Sequence, residues 1–399
     1  MTWRRIPFPL GVLFGLGVAL VGCADDEEPA PMCTTTLLWD PADGDITRWP
    51  EPDLLVSDPT TPNGVRLNYV PADYPELSTT LAGFESIFVD DLSDLDGFGT
   101  NAEVYFRFDG PAPVLGDLVE DPSLGAGLFI MELNGMALAE PQFVPLELEL
   151  ADDGTTLIFL PLEPLPDQAQ VAAYVSTAAF GDACARASPA MAARFADDQA
   201  TIDALIGAGA IEAGSDLVAL TVYPVMSAID DSIRVAASIA ERDFAFDGPA
   251  TCTAEALFEV CEVTITVGDY RDADKILRVG DNPEPTTMYQ IPVTVWLPLT
   301  GQRPFPTIVF GHGLGSGREQ GVELAELAAP EGFATVAMPA VAHGAHPDSE
   351  DPDAPLLAVV TRFFTLGDLT TKPFDGRRHR DHWRQSTYDK LQLTRALAA

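Results

Sequence analysis

A short glycine-rich turn is the part of the sequence best suited to chemistry. Residues 306–310 form an apolar, β-branched run, and His-Gly-Leu-Gly follows at 312–315. Glycine tolerates backbone angles that can aim successive N–H groups at one point. Such donors stabilise the negative oxygen that develops in acyl transfer, and losing one costs about 3 kcal/mol. The pattern predicts an oxyanion-binding turn; a plain strand-to-helix turn with His312 as a structural hydrogen-bonding residue is the alternative.

The nucleophile that such a turn normally serves is not recognised in the sequence. A nucleophilic serine usually occupies a Gly-x-Ser-x-Gly motif on a strained turn between a strand and a helix. Residues 313–317 read Gly-Leu-Gly-Ser-Gly, which puts Ser316 in the wrong position for that motif. A serine nucleophile also needs a neighbouring base to be reactive, and the sequence offers no recognisable base either. We therefore expect no nucleophile, acid or base within these 399 residues.

Two histidine pairs have spacings that occur among metal ligands. His343 and His346 form one pair, and His379 and His382 form the other. Neither pair has a convincing set of carboxylates to complete a metal site. The sequence therefore predicts no metal, and it suggests no cofactor.

Two charged runs suggest surface loops. Residues 90–97 are acidic and invite a calcium interpretation, but Leu92 occupies the place of the first ligand of an EF-hand loop. A solvated acidic loop is the favoured interpretation. Residues 377–380 form the only dense basic run and predict a surface loop near the mouth of the site.

The chain begins with a pattern typical of an exported protein. Two arginines precede an apolar stretch over 8–20, which is too short for a comfortable membrane span. Leu-Val-Gly-Cys then ends at Cys23 and resembles a bacterial lipobox. By that resemblance, residues 1–22 are a lipoprotein signal peptide, Cys23 carries the lipid, and 23–45 form a tether. An ordinary secretory signal with an incidental cysteine is the alternative.

Four cysteines remain after Cys23, an even number that suggests disulfides in an exported chain. Cys252 and Cys261 are close enough to staple a hairpin or loop. Cys33 and Cys184 would then tie the N-terminal segment to the first domain. Four cysteines allow three pairings, so this pairing is a preference. A zinc site is disfavoured because no Cys-x-x-Cys occurs.

Composition limits the classes of partner. The 399 residues suffice for two or three domains, and apolar residues make up 47% of them. The net charge of -39 would repel the phosphates of nucleic acid, so nucleic-acid binding is not expected. The 34 prolines and 32 glycines favour β-rich structure over a helical bundle.

The elements that position the turn follow from hydrophobic periodicity. An N-terminal β-rich domain over 46–187 is expected to be an antiparallel, immunoglobulin-like sandwich, with strands near 103–108, 146–150, 155–160 and 168–176. A helical connector over 188–249 has Ala-rich helices predicted at 191–208 and 213–239. A partial α/β domain is expected over 250–399. Its strands are predicted at 258–267, 289–297, 307–310 and 333–338. Its helices are predicted at 320–329 and 383–399, with a loop-rich segment at 345–380.

Several of these segments together resemble the first half of an α/β-hydrolase. The segments are Phe-Gly-His-Gly-Leu-Gly at 310–315, Phe-Ala-Thr-Val-Ala-Met-Pro at 333–339 and Ala-His-Gly at 342–344. The resemblance implies that the third strand leads into the His-Gly turn. It also implies that the amides of Gly313 and Leu314 form the oxyanion hole, whereas His312 shapes the turn and is not the base.

The N-terminal region is similar to that of surface-exposed bacterial lipoprotein lipases. The similarity lies in Trp-Pro-Glu-Pro-Asp-Leu-Leu at 49–55, Leu-Asp-Gly-Phe-Gly-Thr at 95–100 and Leu-Pro-Leu-Glu-Pro-Leu at 160–165. Residues 385–397 also resemble the helix that precedes the nucleophile strand of a hydrolase, so the chain is expected to stop just before its serine.

The resemblance implies a lipid-anchored protein of the outer membrane or cell surface of a Gram-negative bacterium. Its expected partners are the membrane, through Cys23, and an ester or lipid substrate of a completed domain. The expected relationship is to a serine lipase or carboxylesterase that is inactive in this form. A non-catalytic surface-binding lipoprotein with a vestigial hydrolase-like domain is the alternative.

Overall fold

The structure, a computed structural model, describes residues 33, 35–75, 79, 91–116, 118–280, 282–349, 351–366 and 374–399. The predicted signal peptide, Cys23 and the first part of the tether lie outside the described residues. Within the described part, the fold is a mixed α/β arrangement of several sheets and few helices. No helix in that part is both long enough and apolar enough to cross a membrane.

The N-terminal half of the described chain is mostly β-structure. Its strands are β1 (Thr35–Thr36), β2 (Arg48–Trp49), β3 (Leu55–Ser57), β4 (Val65–Leu67), β5 (Val104–Arg107), β6 (Leu118–Val119), β7 (Ala126–Leu133), β8 (Met136–Phe143), β9 (Leu146–Leu150), β10 (Thr156–Pro161), β11 (Ala169–Ser176), β12 (Ala185–Arg186) and β13 (Leu217–Pro224).

Two antiparallel sheets in this half share one apolar core. One sheet has the order β2-β5-β10-β9-β6, and the other has the order β13-β11-β7-β8. Phe106 and Phe159 from the first sheet belong to the same buried cluster as Leu128, Val171 and Leu220 from the second. Burial of such side chains contributes about 1.5–3 kcal/mol each, so this cluster is the main stabilising element of the half.

Strand β9 illustrates how the local pattern determines these elements. Its Leu-Glu-Leu-Glu-Leu sequence alternates strictly, and successive side chains of a strand point to opposite faces. Leu146 and Leu148 are accordingly buried, while Glu147 and Glu149 are exposed. A turn at Gly154, whose φ is +67°, then reverses the chain into β10. The predicted half-buried strand is confirmed.

The helix predicted over 213–239 is wrong in its first half. The segment contains strand β13, which is almost fully buried and pairs antiparallel with β11. Its Leu-Val-Ala-Leu-Thr-Val-Tyr-Pro sequence is rich in β-branched and aromatic residues, which suit a strand buried on both faces. Helical structure lies on either side, in α1 (Pro189–Arg194), α2 (Gln199–Gly207) and α3 (Asp230–Ala240).

A five-stranded sheet with a helical crossover dominates the C-terminal half. It contains β14 (Thr251–Ala254), β15 (Phe258–Asp269), β16 (Thr287–Pro298), β17 (Thr307–Phe310) and β18 (Ala334–Ala337), in the order β14-β15-β16-β18-β17. Within this sheet, as far as the structure describes it, only β17 and β18 pair in parallel, and α4 (Gly321–Ala328) connects them. A parallel pair requires such a crossover. The strands and the helix expected between 258 and 338 are confirmed.

Two further helices complete this half, α5 (Leu356–Phe363) and α6 (Gly376–Ala398). Helix α6 begins seven residues earlier than predicted, because Asp375 caps it by accepting a hydrogen bond from the amide of Arg378 (3.1 Å). The basic run at 377–380 is therefore the first turn of a helix, and the prediction of a loop there is wrong. Helices α3 and α6 both bury apolar side chains against the sheet.

Each half contains one disulfide. Cys33 is bonded to Cys184, beside the parallel pair of β1 and β12. Cys252 is bonded to Cys261, and the two residues lie directly opposite each other in β14 and β15. The first bridge closes a sequence separation of 151 residues and the second one of 9.

Candidate functional site

The His-Gly turn follows the end of β17 and is a tight, glycine-dependent β-turn. The amide of Ser316 donates to the carbonyl of Gly313 (3.3 Å), and the Ser316 hydroxyl donates to the same oxygen (2.8 Å). Gly315 has φ +73°, which a type II turn requires at its third residue. Among the described residues, no group accepts a hydrogen bond from the amides of Gly313, Leu314 or Gly315.

His312 holds this turn against the loop that follows β18. Its Nδ1 donates to the carbonyl of Gly313 (3.0 Å), and its Nε2 accepts from the amide of Ala340 (2.9 Å). Burial, together with the positive charge of Lys390, lowers the pKa of His312. The ring is therefore neutral near pH 7, and both nitrogens are occupied by backbone groups. No lone pair is left for general-base chemistry.

One apolar and one charged side chain lie close to the exposed turn. A Cβ atom on Gly315 would lie 2.0 Å from Cδ1 of Leu356, at the start of α5. A Cβ atom on Gly311 would lie 3.1 Å from Nζ of Lys390, on α6. Gly315 is needed for its positive φ and its close approach to Leu356, whereas a Cβ at position 311 would crowd the flexible end of Lys390.

His343 has the one histidine nitrogen that is buried without a partner among the described residues. Its Nδ1 donates to the carbonyl of Val341 (2.9 Å), whereas its Nε2 has no hydrogen bond and no exposed surface. The ring centroid lies 5.0 Å from that of His312 and 5.0 Å from that of Phe363. Burial lowers the pKa of His343. In the sequence, His343 belongs to the Ala-His-Gly segment at 342–344 and to a histidine pair, and neither pattern indicates this buried, unpaired nitrogen.

His346 belongs instead to a buried polar network. Its Nε2 donates to Asp389 (3.3 Å), and its Nδ1 accepts from the amide of Asp348 (3.0 Å). Tyr289 and Gln385 both donate to the other oxygen of Asp389 (2.8 Å each). The His346–Asp389 pair resembles a catalytic dyad in composition. However, the nitrogen that would act as base is already occupied, so the pair stabilises the fold.

His379 and His382 are directed at a backbone carbonyl and not at a shared metal position. The Nδ1 of each donates to the carbonyl of Phe363, at 3.2 Å and 3.1 Å. Burial lowers the pKa of His382 to about 4. Within the part of the chain that the structure describes, no group of three or more His, Cys, Asp or Glu side chains could hold a metal ion.

The serines near the turn are not activated. The hydroxyl of Ser316 is bonded to Gly313, and the hydroxyl of Ser386 donates to the carbonyl of His382 (2.8 Å). Ser386 also accepts from the amide of Val341 (3.1 Å). In the described ranges, no Ser, Thr or Cys side chain is hydrogen-bonded to a histidine ring.

The acidic loop and the basic run contact each other. Asp91 accepts a hydrogen bond from the amide of Gly376 (2.7 Å), and Asp94 forms a salt bridge with Arg377 (3.2 Å). Asp96 accepts from the amide of Ser227 (2.8 Å), and burial raises its pKa. Asp91 and Asp94 therefore connect the N-terminal half to α6, and Asp96 connects it to the segment before α3.

No family model, curated protein sequence or solved structure matches this chain.

Proposed function

We propose that the C-terminal sheet is the first part of an α/β-hydrolase-like sheet and that its His-Gly turn binds the oxygen of an acyl group. Leaving aside the short strand β14 at the far edge, β17 is the third strand of that sheet in chain order, and a helix after the turn returns the chain to the parallel strand β18. In α/β-hydrolases, the loop after strand three contributes an oxyanion-hole amide. In the same proposal, the two N-terminal sheets that share one core form an immunoglobulin-like sandwich.

The observation that carries the proposal is the set of open amides at Gly313, Leu314 and Gly315. Preorganised amides stabilise an oxyanion only when they are not satisfied within the protein. Here His312 fixes the turn through bonds to Gly313 and Ala340, which leaves the amides of the turn available. An ester carbonyl is the acyl group proposed to bind there.

Bond cleavage would need an activated nucleophile. The absence of any described hydroxyl bonded to a histidine favours the second candidate function, a non-catalytic surface protein that binds an acyl group. We therefore propose a protein related to serine lipases and carboxylesterases in which these 399 residues bind esters without hydrolysing them.

The first experiment measures hydrolysis and binding separately. With p-nitrophenyl butyrate, we expect turnover no faster than the uncatalysed rate. With methyl butyrate, we expect saturable shifts of the Gly313 and Gly315 amide signals in 1H–15N NMR spectra. Turnover that is abolished by a substitution within this chain would contradict the non-catalytic part of the proposal.

The matched pair Leu314→Pro and Leu314→Ala tests the amides directly. Proline removes the N–H and suits the second position of a type II turn, so Leu314→Pro keeps the turn and deletes one donor. We expect methyl butyrate to bind about tenfold more weakly to Leu314→Pro and nearly unchanged to Leu314→Ala. Equal binding to both variants would refute an amide-based site.

We also propose that Cys23 carries a lipid and anchors the protein to the outer membrane or cell surface. The two disulfides are compatible with an oxidising compartment. In a bacterial host fed radiolabelled palmitate, the wild-type chain should be labelled and membrane-bound, and Cys23→Ser should be neither. Labelling of Cys23→Ser would overturn the assignment.

A further inference from the structure

Lys390 is a half-buried cation that lies against the His-Gly turn. It is on α6, and its Nζ lies 3.1 Å from the position that a Cβ atom on Gly311 would occupy. Its charge is close enough to lower the pKa of His312. The ammonium group therefore lies beside Gly311, directly after the end of β17 and two residues before the first open amide of the turn.

This ammonium forms no hydrogen bond or salt bridge with a described residue, although the chain is rich in acids and Asp389 acts on it through its charge. The sequence has 61 Asp and Glu against 22 Lys and Arg. Lys275, the other described lysine, forms salt bridges with Asp269 and Asp348 (3.1 Å and 2.8 Å). Lys390 forms no salt bridge with a described carboxylate, and the oxygens of neighbouring Asp389 are taken by Tyr289, Gln385 and His346.

An unpaired, partly desolvated ammonium is unfavourable unless it binds something. Burial lowers the pKa of Lys390, which reports that desolvation. Lys390 supplies donors only, and the free amides of Gly313, Leu314 and Gly315 also supply donors only. A neutral ester oxygen satisfies amides but leaves the ammonium uncompensated. An anionic oxygen satisfies both through charge-assisted hydrogen bonds.

We infer that Lys390 and the amides of the His-Gly turn together form a site for an anionic oxygen group, a carboxylate or a phosphate. The inference rests on the same turn as the proposed function and adds the charge of the ligand. A carboxylate is the product of ester hydrolysis, and phosphate is the headgroup component of many lipids. The competing explanation is that Lys390 protects the open edge of β17 against aggregation, as edge lysines commonly do.

The experiment titrates the full chain separately with sodium butyrate and with inorganic phosphate at constant ionic strength. The readout is the shift of the Gly313 and Gly315 amide signals in 1H–15N NMR spectra. We expect saturable binding of at least one anion, about tenfold weaker in Lys390→Met and retained in Lys390→Arg. Butyrate binding would identify the group as a carboxylate, and binding of phosphate alone would identify it as a phosphate.

The matched control is Arg395→Met, which removes one positive charge from an exposed position of the same helix. It should bind the anion as the wild type does, because it changes the net charge by the same amount as Lys390→Met but keeps the ammonium beside the turn. If Lys390→Met does not fold, Gly311→Ala provides a second route. Its methyl group would crowd the ammonium, and we expect several-fold weaker anion binding. Unchanged anion affinity in Lys390→Met, or no saturable shift with either anion, would overturn the inference.

Methyl butyrate separates this inference from the proposed function. If Lys390→Met binds the neutral ester and the anions as the wild type does, the anion site fails and the acyl site stands. If Leu314→Pro binds the neutral ester normally while Lys390→Met loses anion binding, the acyl site fails and the anion site stands.

Discussion

The two halves of the molecule bury different kinds of side chain. The N-terminal half encloses phenylalanine, leucine and valine between two sheets, with few buried polar groups apart from the Arg48–Glu51 ion pair. The C-terminal half buries an acidic and basic network around Asp269, Arg271 and Asp389 beneath α6. Of the twenty polar residues that are buried in the described ranges, twelve lie in that half. The C-terminal half therefore depends more on exact pairing and on pH.

A second difference concerns protonation. All five histidines of the sequence lie between residues 312 and 382. In three of them, His312, His343 and His382, burial lowers the pKa. The N-terminal half contains no histidine, so its stability lacks this pH-dependent contribution. Four perturbations test the contrast between the halves.

The largest expected effect comes from the disulfides. Replacing Cys33 and Cys184 by serine should cost about 5 kcal/mol of unfolding free energy, and replacing Cys252 and Cys261 about 3 kcal/mol, because the longer loop gains more entropy when released. Urea denaturation monitored by circular dichroism measures both losses. A larger loss for the short loop would show that loop entropy does not decide the difference.

Arg271→Met should destabilise the C-terminal half by about 3–5 kcal/mol, because it leaves buried carboxylates uncompensated. Arg271 pairs with Asp269 at 2.8 Å and with Asp348, and its side chain has no exposed surface. The control is Arg278→Met, whose pair with Asp272 is exposed and worth less than about 1 kcal/mol. Urea midpoints of the two variants should differ accordingly; equal midpoints would argue against the importance of the network.

Acid should weaken the C-terminal half between pH 6.5 and 4. The folded pKa of His382 is about 4, below its ordinary value of 6.5. The unfolded chain therefore binds the proton first, so the stability contribution is complete above pH 6.5 and falls as pH drops to 4. The loss is about 3 kcal/mol for this group. It is measured by urea denaturation across that range, and His382→Gln should flatten the profile.

The smallest effects come from the helix caps, one in each half. Ser188 caps α1 by accepting from the amide of Met191 (3.1 Å), and Asp375 caps α6 by accepting from Arg378 (3.1 Å). Ser188→Ala and Asp375→Ala should each cost about 1 kcal/mol. The variants Ser188→Asp and Asp375→Ser keep a side-chain oxygen that can cap the helix, and they serve as controls. Losses near 3 kcal/mol would indicate roles beyond capping.

Local patterns predicted much of the fold. The alternation of residues 146–150 predicted β9, and the strand, helix and strand expected at 307–310, 320–329 and 333–338 correspond to β17, α4 and β18. These predictions succeeded because side-chain periodicity and turn residues act over a few neighbouring positions. The helix expected over 213–239 was wrong in its first half because the alanine content suggested a helix, whereas the buried residues of 217–224 pair with β11 as the strand β13.

The functional details depended on contacts between distant residues. No local pattern indicates that Lys390 would lie beside Gly311, 79 positions earlier, or that Asp389 would bind His346, 43 positions earlier. The sequence by itself determined the His-Gly turn, its glycines and the strand before it, because these follow from backbone preferences. Only the tertiary structure decided which histidine nitrogens are occupied and which cation faces the turn, because packing of α6 on the sheet brings those groups together.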